Sequence, residues 1–585
     1  MNPDFLWRTI NMKSFHYFIA LLLVFQVGNA SPPENTVNCI SGNSDCILKN
    51  AFGTFLDQTN CHAASVAYPA TQEELISIVA NATKMKRKMK VSTLYYHSIG
   101  KLSCPGGTDG LIISTNKLNK IIKLDRAAKT VTVEPGVTLR TLIQEAAKSG
   151  LTLSSVPYWW GLTIGGLLST GAHGSTLWRG SAVHDYVTSM NIVSPATRKE
   201  GYAKLRVIQG NDSALDSAKT SIGVLGVISR VTIALEPVFK RSITFEEKSD
   251  VDLSSTVSEF GKKHEFGDIL WSPSQRKATY RVDDRVPINT KGNGVNDFIS
   301  FRSFTSDTLA AQRLLEENLE TQKDTNGTCA IGETIWASIK SSAFGFTNDG
   351  ANFSGYPVIG FNHRLQSAGS CLDSPDDDFQ TGCAWDPRLK GAPYFNIAFN
   401  IGVSKAKKYI KDIQDLVKLR PQALCGLDIY NGIVIRYVKK SSAALANDED
   451  SVSFDITSYR SIHPKTPRLN EDALEEVEQM AFFKYGALPH WGKNRPVAFE
   501  GVIKKYKKKN EFMKVKRLFD RWGLFSNEWS DDVLGLSKGK KELSDGCALE
   551  GLCRCSEDKH CAPNHGYYCK RGLIYHQAKV CTFIK

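Results

Sequence analysis

Ser155-Val-Pro-Tyr-Trp-Trp-Gly-Leu-Thr-Ile-Gly-Gly-Leu-Leu-Ser-Thr-Gly-Ala-His-Gly-Ser-Thr176 is the stretch whose reading decides the fold. Five glycines, Gly161, Gly165, Gly166, Gly171 and Gly174, fall within these 22 residues, with small hydroxyl side chains between them. Glycine reaches left-handed dihedrals and lets backbone N–H groups come close to a bulky anionic ligand. A lone Gly-Gly reads equally well as a plain turn. Here Thr163-Ile-Gly-Gly166 is followed at once by Ser169-Thr-Gly-Ala-His-Gly-Ser175, so hydroxyl and N–H donors cluster around it.

Outward from this stretch the chain alternates short strands with single helices. Thr71-Gln-Glu-Glu74 reads as a capping box, and Leu75, Ile78, Val79 and Ala82 mark one apolar helical face. A strand is expected near 90–94, and 121–124 and 131–134 read as strands around a turn. Thr138 caps a helix with Leu139, Leu142, Ile143 and Ala146 inward and Gly150 as its stop. Residues 60–240 therefore read as one α+β domain. Beyond it, 395–402 reads as a strand, and Ser404 as the cap of a helix over 405–418. Residues 426–430 and 433–438 read as a hairpin around Asn431-Gly432. Strand 452–459 and a helix capped by Asn470 complete a helix-backed antiparallel sheet, the second domain over 241–540.

The chain has 585 residues, too long for one core, and 42% hydrophobic with 23% charged residues argues against disorder. Net charge is +13, concentrated in part in Lys504-Lys-Tyr-Lys-Lys-Lys509 with Lys514, Lys516 and Arg517. Without a recognisable nucleic-acid module this reads as a solvated helix face, so no nucleic-acid partner is expected. Phe18–Val27 is an apolar run preceded by Arg8 and Lys13, with Gly28-Asn-Ala30 at its end. Residues 1–30 read as a secretory signal, too short for a membrane span, and the mature protein is expected to be secreted, in the wall or outside the cell. Six of the 14 cysteines fall in the last 40 residues: Cys547, Cys553, Cys555, Cys561, Cys569 and Cys581. Zinc is the rival reading, with His560 and His565 near; the Cys-x-Cys step and an oxidising compartment favour disulfides over 541–585, and no metal is expected. Asn81, Asn211, Asn326 and Asn352 head glycosylation sequons.

The Gly-rich stretch resembles the flavin-binding segment of the vanillyl-alcohol-oxidase-type FAD family. Pro489-His-Trp-Gly-Lys493, over 300 residues on, resembles the signature of the aldonolactone oxidoreductases within that family. The two together point to the plant L-gulonolactone oxidase-like group over roughly residues 60–510. The resemblance implies a two-part FAD-binding domain, an antiparallel substrate cap, FAD as cofactor, a sugar lactone as substrate, and O₂ or another electron acceptor. It places FAD against Ser92, Thr93, His97 and Ser98, then Pro157, Gly165, Gly166, Ser169, Thr170, Gly171, Gly174 and Ser175, and finally Gly226 and Ile228. His97 matches the position that some members bond covalently to the flavin. The usual glycines before it are here Leu94, Tyr95 and Tyr96, so Ser92, Thr93 and backbone N–H groups must hold the pyrophosphate.

Chemistry at an alcohol carbon needs a hydride acceptor and a proton acceptor; the cofactor supplies the first and the protein the second. His490 and Lys493 are the candidates for proton transfer or for polarising the substrate oxygen. Arg436 matches an arginine that the family uses near flavin N1, where anionic charge develops. The family's Glu two residues before it is Val434 here, and Asp428 is the nearby alternative carboxylate. The expected reaction is oxidation of the C2 hydroxyl of L-gulono-1,4-lactone. Another secreted carbohydrate oxidase of the same fold, or a non-catalytic sugar-binding protein with a degenerate flavin site, remain open. Pro157 falls where a small residue gates oxygen in the family, which favours an oxidase; Tyr158, Trp159 and Trp160 beside it favour a dehydrogenase.

Overall fold

The computed structural model describes residues 37–48, 61–93, 99–298, 304–366, 381–382, 394–461, 463, 465–537 and 543–585. The expected signal segment 1–30, and His97 and Ser98 with the loop before them, lie outside the described residues.

Val37–Ser41 (β1), Ser44–Leu48 (β2), Cys61–Ala67 (β3), Met89–Val91 (β4) and Leu111–Ile113 (β5) form a mixed sheet in the order β1-β2-β3-β5-β4. Residues 37–48 are its edge hairpin, closed by Cys39–Cys46. Helix Gln72–Lys84 (α1) buries Leu75, Val79 and Ala82 against this sheet. Thr71 Oγ1 accepts from the Glu74 N–H at 3.1 Å, while Glu74 reaches one residue beyond the cap, to the Ala70 N–H. The next sheet is antiparallel: Ile121–Asp125 (β6), Thr130–Val133 (β7), Val187–Pro195 (β8), Ala203–Gln209 (β9) and Val227–Ala234 (β10), ordered β9-β8-β10-β7-β6. Helix Leu139–Lys148 (α2) is capped by Thr138 and buries the four expected apolar residues. Between it and β8, Ile164–Thr170 forms the short helix α3, stopped by Gly171 at φ +71°.

The cap is one eight-stranded antiparallel sheet. Its strands are Lys240–Ser249 (β11), Asp268–Ser272 (β12), Lys277–Val286 (β13), Val358–Phe361 (β14), Tyr394–Gly402 (β15), Ile433–Val438 (β16), Ser451–Tyr459 (β17) and Leu488–Pro489 (β18). The order is β14-β11-β13-β12-β16-β17-β15-β18. Helices Leu253–Lys263 (α4) and Val403–Leu419 (α7) pack together behind it, with Ser306–Gln322 (α5) and Thr325–Ser341 (α6) contributed between.

Three local expectations change. The helix begins at Val403 with Gly402 as its N-cap, so Ser404 is not the cap. Cys425–Tyr430 is a short 3₁₀ helix rather than a strand; Asn431 (φ +71°) and Gly432 (φ +68°) end it. The same left-handed pair that makes a hairpin also stops a helix, so the dipeptide alone does not choose. Asn470 stands at the N-cap of Glu471–Gln479 (α8), but its Oδ1 accepts from Arg420 at 2.9 Å instead of capping.

After Lys509–Phe519 (α9) the chain returns to the first sheet. Leu524 O accepts from Met89 N at 2.7 Å, and Asn527 Nδ2 donates to Cys104 O at 2.7 Å. The basic run is only partly a solvated face: Lys505 reaches the Phe482 and Ala487 carbonyls, Lys508 pairs with Asp216 at 2.8 Å, and Lys516 is buried. The tail folds as the hairpin Tyr567–Arg571 (β19) and Lys579–Phe583 (β20), its six cysteines paired 547–553, 555–569 and 561–581.

Candidate active site

The two motifs that lie over 300 residues apart meet on one cavity of about 670 Å³ between the α/β part and the cap sheet. Ser92, Thr93, Pro157, Gly165, Gly166, Ser169, Thr170, Gly226 and Ile228 line it from one side; Arg436, His490 and Lys493 line it from the other. Gly171, Gly174 and Ser175 do not line it. A Cβ on Gly174 would stand 2.6 Å from Val156 O. Ser175 Oγ donates to Gly267 O at 2.6 Å and accepts from Tyr437 N at 3.0 Å. Ser175 thus stitches the α/β part to the cap, while Gly174 packs within the α/β part.

Gly165 shows why that stretch needs glycine. A Cβ there would stand 2.9 Å from Pro135 Cβ, so only a bare backbone lets α3 run this close to the cavity wall. His173, buried behind it, turns Nδ1 to Gly174 O at 2.9 Å. Burial, with the Arg436 charge beside it, pushes its pKa down to about 3, so the ring is neutral at working pH.

The centre of the site is a carboxylate that the sequence reading did not find. Asp455 on β17 accepts from Lys493 Nζ at 2.6 Å and Arg436 Nη2 at 2.7 Å, both through Oδ2. Its cross-strand partner is Val434, the position where a Glu was missing. Asp455 thus sets a carboxylate on the same sheet face, one strand over from Val434. Asp428 is used elsewhere: it accepts from Ser272 and Gln275, and burial raises its pKa to about 6. Burial opposes ionisation of Asp455, but Lys493 and Arg436 outweigh it and hold the carboxyl below its ordinary range.

His490 Nδ1 accepts from the Gly492 N–H at 3.0 Å. A ring nitrogen that accepts carries no proton, so neutral His490 holds its proton on Nε2 and acts as a donor. Burial, then the charge of Lys493, drives its pKa well down, which keeps it in that form. Burial likewise lowers Lys493, against the pull of Asp455. Arg436 also donates to His173 O at 3.3 Å, and its Nε has no partner among the described residues. Tyr158, after Pro157, donates its hydroxyl to Asp268, which Arg281 holds at 3.0 Å; its ring lies under the Arg281 and Arg436 guanidiniums.

The lining fits FAD. Ser92 and the paired Thr93 and Thr115 hydroxyls offer donors without bulk beside the bare Gly166 backbone, whereas Ser169 and Thr170 give theirs to Gly165 O and Gly166 O. Lys90 on β4 is a buried amine with no hydrogen-bond partner among the described residues. Burial, then Lys516, lowers that amine to about 7. An anionic pyrophosphate suits such a donor set. Asp455 was invisible because strand register, which the sequence does not contain, sets what faces position 434.

Comparison with known proteins agrees with this geometry. A family model described as FAD binding domain matches residues 63–198. D-arabinono-1,4-lactone oxidase matches 391–533, and the L-gulonolactone oxidase 2-like C-terminal domain matches 544–583. L-gulonolactone oxidase 5 of Arabidopsis thaliana is 52% identical over 99% of this chain and 98% of its own length. L-gulonolactone oxidase 2 of the same plant is 50% identical over 97% of each. The L-gulonolactone oxidase of Mus musculus is 22% identical over 81% of this chain and 96% of its own. Among solved structures a solvent-stable cholesterol oxidase aligns over 86% of this chain and 100% of its own, with TM-score 0.64 at 14% identity, a likeness of fold alone.

Proposed function

We propose, for a chain that belongs to the plant L-gulonolactone oxidase family of FAD-dependent aldonolactone oxidoreductases, that its substrate is L-gulono-1,4-lactone. The C2 hydroxyl would be oxidised to the 2-keto lactone, which tautomerises to L-ascorbate. The observation that carries this reading is the convergence of Arg436 and Lys493 on Asp455 beside His490, facing the Gly165-Gly166 wall.

FAD, when bound, would supply the acceptor for the C2 hydride. The chain's own groups manage the proton and the charge. His490 Nε2–H donates to a substrate oxygen and fixes its orientation. Lys493, made less basic by burial, takes the C2 hydroxyl proton in its neutral amine form, and the ammonium so formed stays paired with the Asp455 carboxylate. Arg436, held by Asp455 and His173 O, stabilises negative charge as it develops beside it.

We further infer O₂ as acceptor and H₂O₂ as product, on the strength of Pro157, which lines the cavity and has no N–H to bind across it. Tyr158 and Trp159 also line it and favour the dehydrogenase reading, whereas Trp160 is turned to Arg140. Secretion and glycosylation are supported by the apolar run at 18–27 and by the exposure of all four sequon asparagines.

Anaerobic bleaching of the 450 nm flavin band by L-gulono-1,4-lactone, against a panel of other aldonolactones and alditols, tests the substrate. Faster bleaching by another sugar would replace it. Reoxidation that ignores O₂ and needs an artificial acceptor would make the enzyme a dehydrogenase.

A further inference from the structure

The cavity does not end at the reacting groups. Past Val434 it continues into an arm walled by the cap alone, with Phe245, Leu270, Ile335, Ile339, Phe344 and Phe346 lining it. The cap sheet changes chemistry across its width. In one row Asp268 pairs with Arg281, and Arg281 with Phe245; in the adjacent row Asp455 pairs with Val434, and Val434 with Leu270. Both rows run from charged groups near His490 to apolar ones in the arm. Among the described residues of the arm none is charged. Its amide nitrogens are tied to backbone, Asn296 Nδ2 to Leu365 O at 3.3 Å and Gln366 Nε2 to Leu153 O at 3.4 Å, which leaves Asn296 Oδ1 and Gln366 Oε1 as buried acceptors without a partner among the described residues.

The walls of the arm are held in an unfavourable backbone. Ala343 and Phe344 after α6 take φ of +51° and +54°, a left-handed region that non-glycine residues rarely adopt. That turn lays the Phe344 ring on Phe245, with centroids 4.1 Å apart and planes 14° apart. Phe346 and Tyr356 close on the same Phe245 ring at 5.7 Å. A bare sugar lactone could give at most a hydroxyl to each of those two oxygens, and the rest of its polar surface would lose water against aromatic and aliphatic walls. An aromatic substituent would gain apolar burial and ring-to-ring contact instead.

We propose that this arm is a subsite for an aryl group, so that the preferred substrate class is an aldonolactone carrying an aryl substituent on its C5–C6 side chain. That part of the molecule is not constrained by reaction at C2. The proposal rests on the lactone reading above for its orientation, with the reacting ring at His490 and the aryl group past Val434.

The test uses the full-length holoprotein and two probes, L-gulono-1,4-lactone and its 6-O-benzyl ether. Affinity is measured calorimetrically on dithionite-reduced enzyme, which cannot turn either probe over; flavin bleaching is measured separately on oxidised enzyme. The benzyl ether is expected to bind at least ~10-fold more tightly than the parent lactone, the gain that burial of one phenyl ring supports after ordering losses. Ile335→Trp, which fills the arm from α6, should bring the affinity ratio to about 1, and Ile335→Val should keep it. Equal or weaker binding of the benzyl ether to the unmutated enzyme would overturn the aryl subsite, even where the parent lactone bleaches the flavin. Tight benzyl binding with no bleaching by either probe would sink the lactone reading and leave the subsite standing.

Discussion

Asp455 carries the chemistry of this site without being part of either motif. Its stabilising contribution follows the sign of its shift. Because the folded carboxyl is held below its ordinary value, the contribution is full above that value and is lost as pH falls through the folded pKa. Asp455→Asn leaves the buried Arg436 and the half-buried Lys493 without this counter-charge, and should lower stability by about 3 kcal/mol in denaturant titrations. It also removes the group that holds the Lys493 proton, so the limb of the kcat–pH profile set by Lys493 should move to lower pH. Lys493→Ala should erase that limb, whereas Arg436→Ala should slow flavin reduction by about 2–4 kcal/mol in stopped-flow traces, as loss of an anion donor does. Unchanged reduction rates in both would make these two residues structural. At His97 the sequence alone speaks: acid precipitation should leave the flavin on the protein, and His97→Ala should release it.

At the scale of single elements, helix α8 shows how much of the fold rests on buried acids. Glu476 accepts three consecutive backbone N–H groups of the tail, from Leu573, Ile574 and Tyr575, at 2.8, 2.6 and 2.6 Å. Glu475 takes the Cys581 N–H at 2.7 Å, and Gln479 binds both N–H and carbonyl of Lys579. Helix α8 thus serves as the docking edge for the disulfide-bonded tail. Glu476→Ala should strand those N–H groups, lower stability by about 2–4 kcal/mol and expose residues 572–576 to protease before global unfolding. Strand β10 has the opposite sensitivity. Gly226 before it has φ +128°, and a Cβ would stand 2.4 Å from Val193 O. Gly226→Ala should cost about 2 kcal/mol or more and weaken flavin retention, because the residue also lines the cavity.

For the whole molecule, the pH dependence of stability should run against the usual acid denaturation over part of its range. Glu316 on α5 is buried against Tyr430, whose hydroxyl reaches both its oxygens at 2.8 and 2.9 Å. Burial raises this carboxyl to about 7. A raised carboxyl binds more protons folded than unfolded, so its contribution is full below about 4.5 and is lost as pH rises through 7. The loss amounts to roughly 3 kcal/mol at most. Melting temperature should therefore fall between pH 5 and 8, and Glu316→Gln should flatten that fall. A flat profile in the unmutated protein would remove the assignment. The return of residues 520–534 to the first sheet has a similar global reach, since Leu524 and Phe525 complete the core beneath α1.

What the sequence by itself determined were the features written in neighbouring residues. The caps at Thr71 and Thr138, the inward faces of α1 and α2, the Gly165-Gly166 wall and the Pro489–Lys493 loop all depend on contacts within a few positions or on motifs whose chemistry is local. Disulfide bonding of the tail followed from cysteine density, though not its pairing. The tertiary structure decided what depends on register and on return. Asp455 rather than Asp428 completes the site because β16 and β17 pair in the one register that sets Asp455 beside Val434. Ser175 became a seam instead of a ligand contact because β16 runs past it. Asn431-Gly432 ended a helix because the residues before it pack on α6, and Lys505 and Lys508 are engaged rather than free because the Phe482 and Ala487 carbonyls and the Asp216 carboxylate, from distant segments, lie within reach of them. A side chain's neighbours along the chain are fixed by covalent bonds, but its neighbours across the sheet are chosen by burial of the whole face at once.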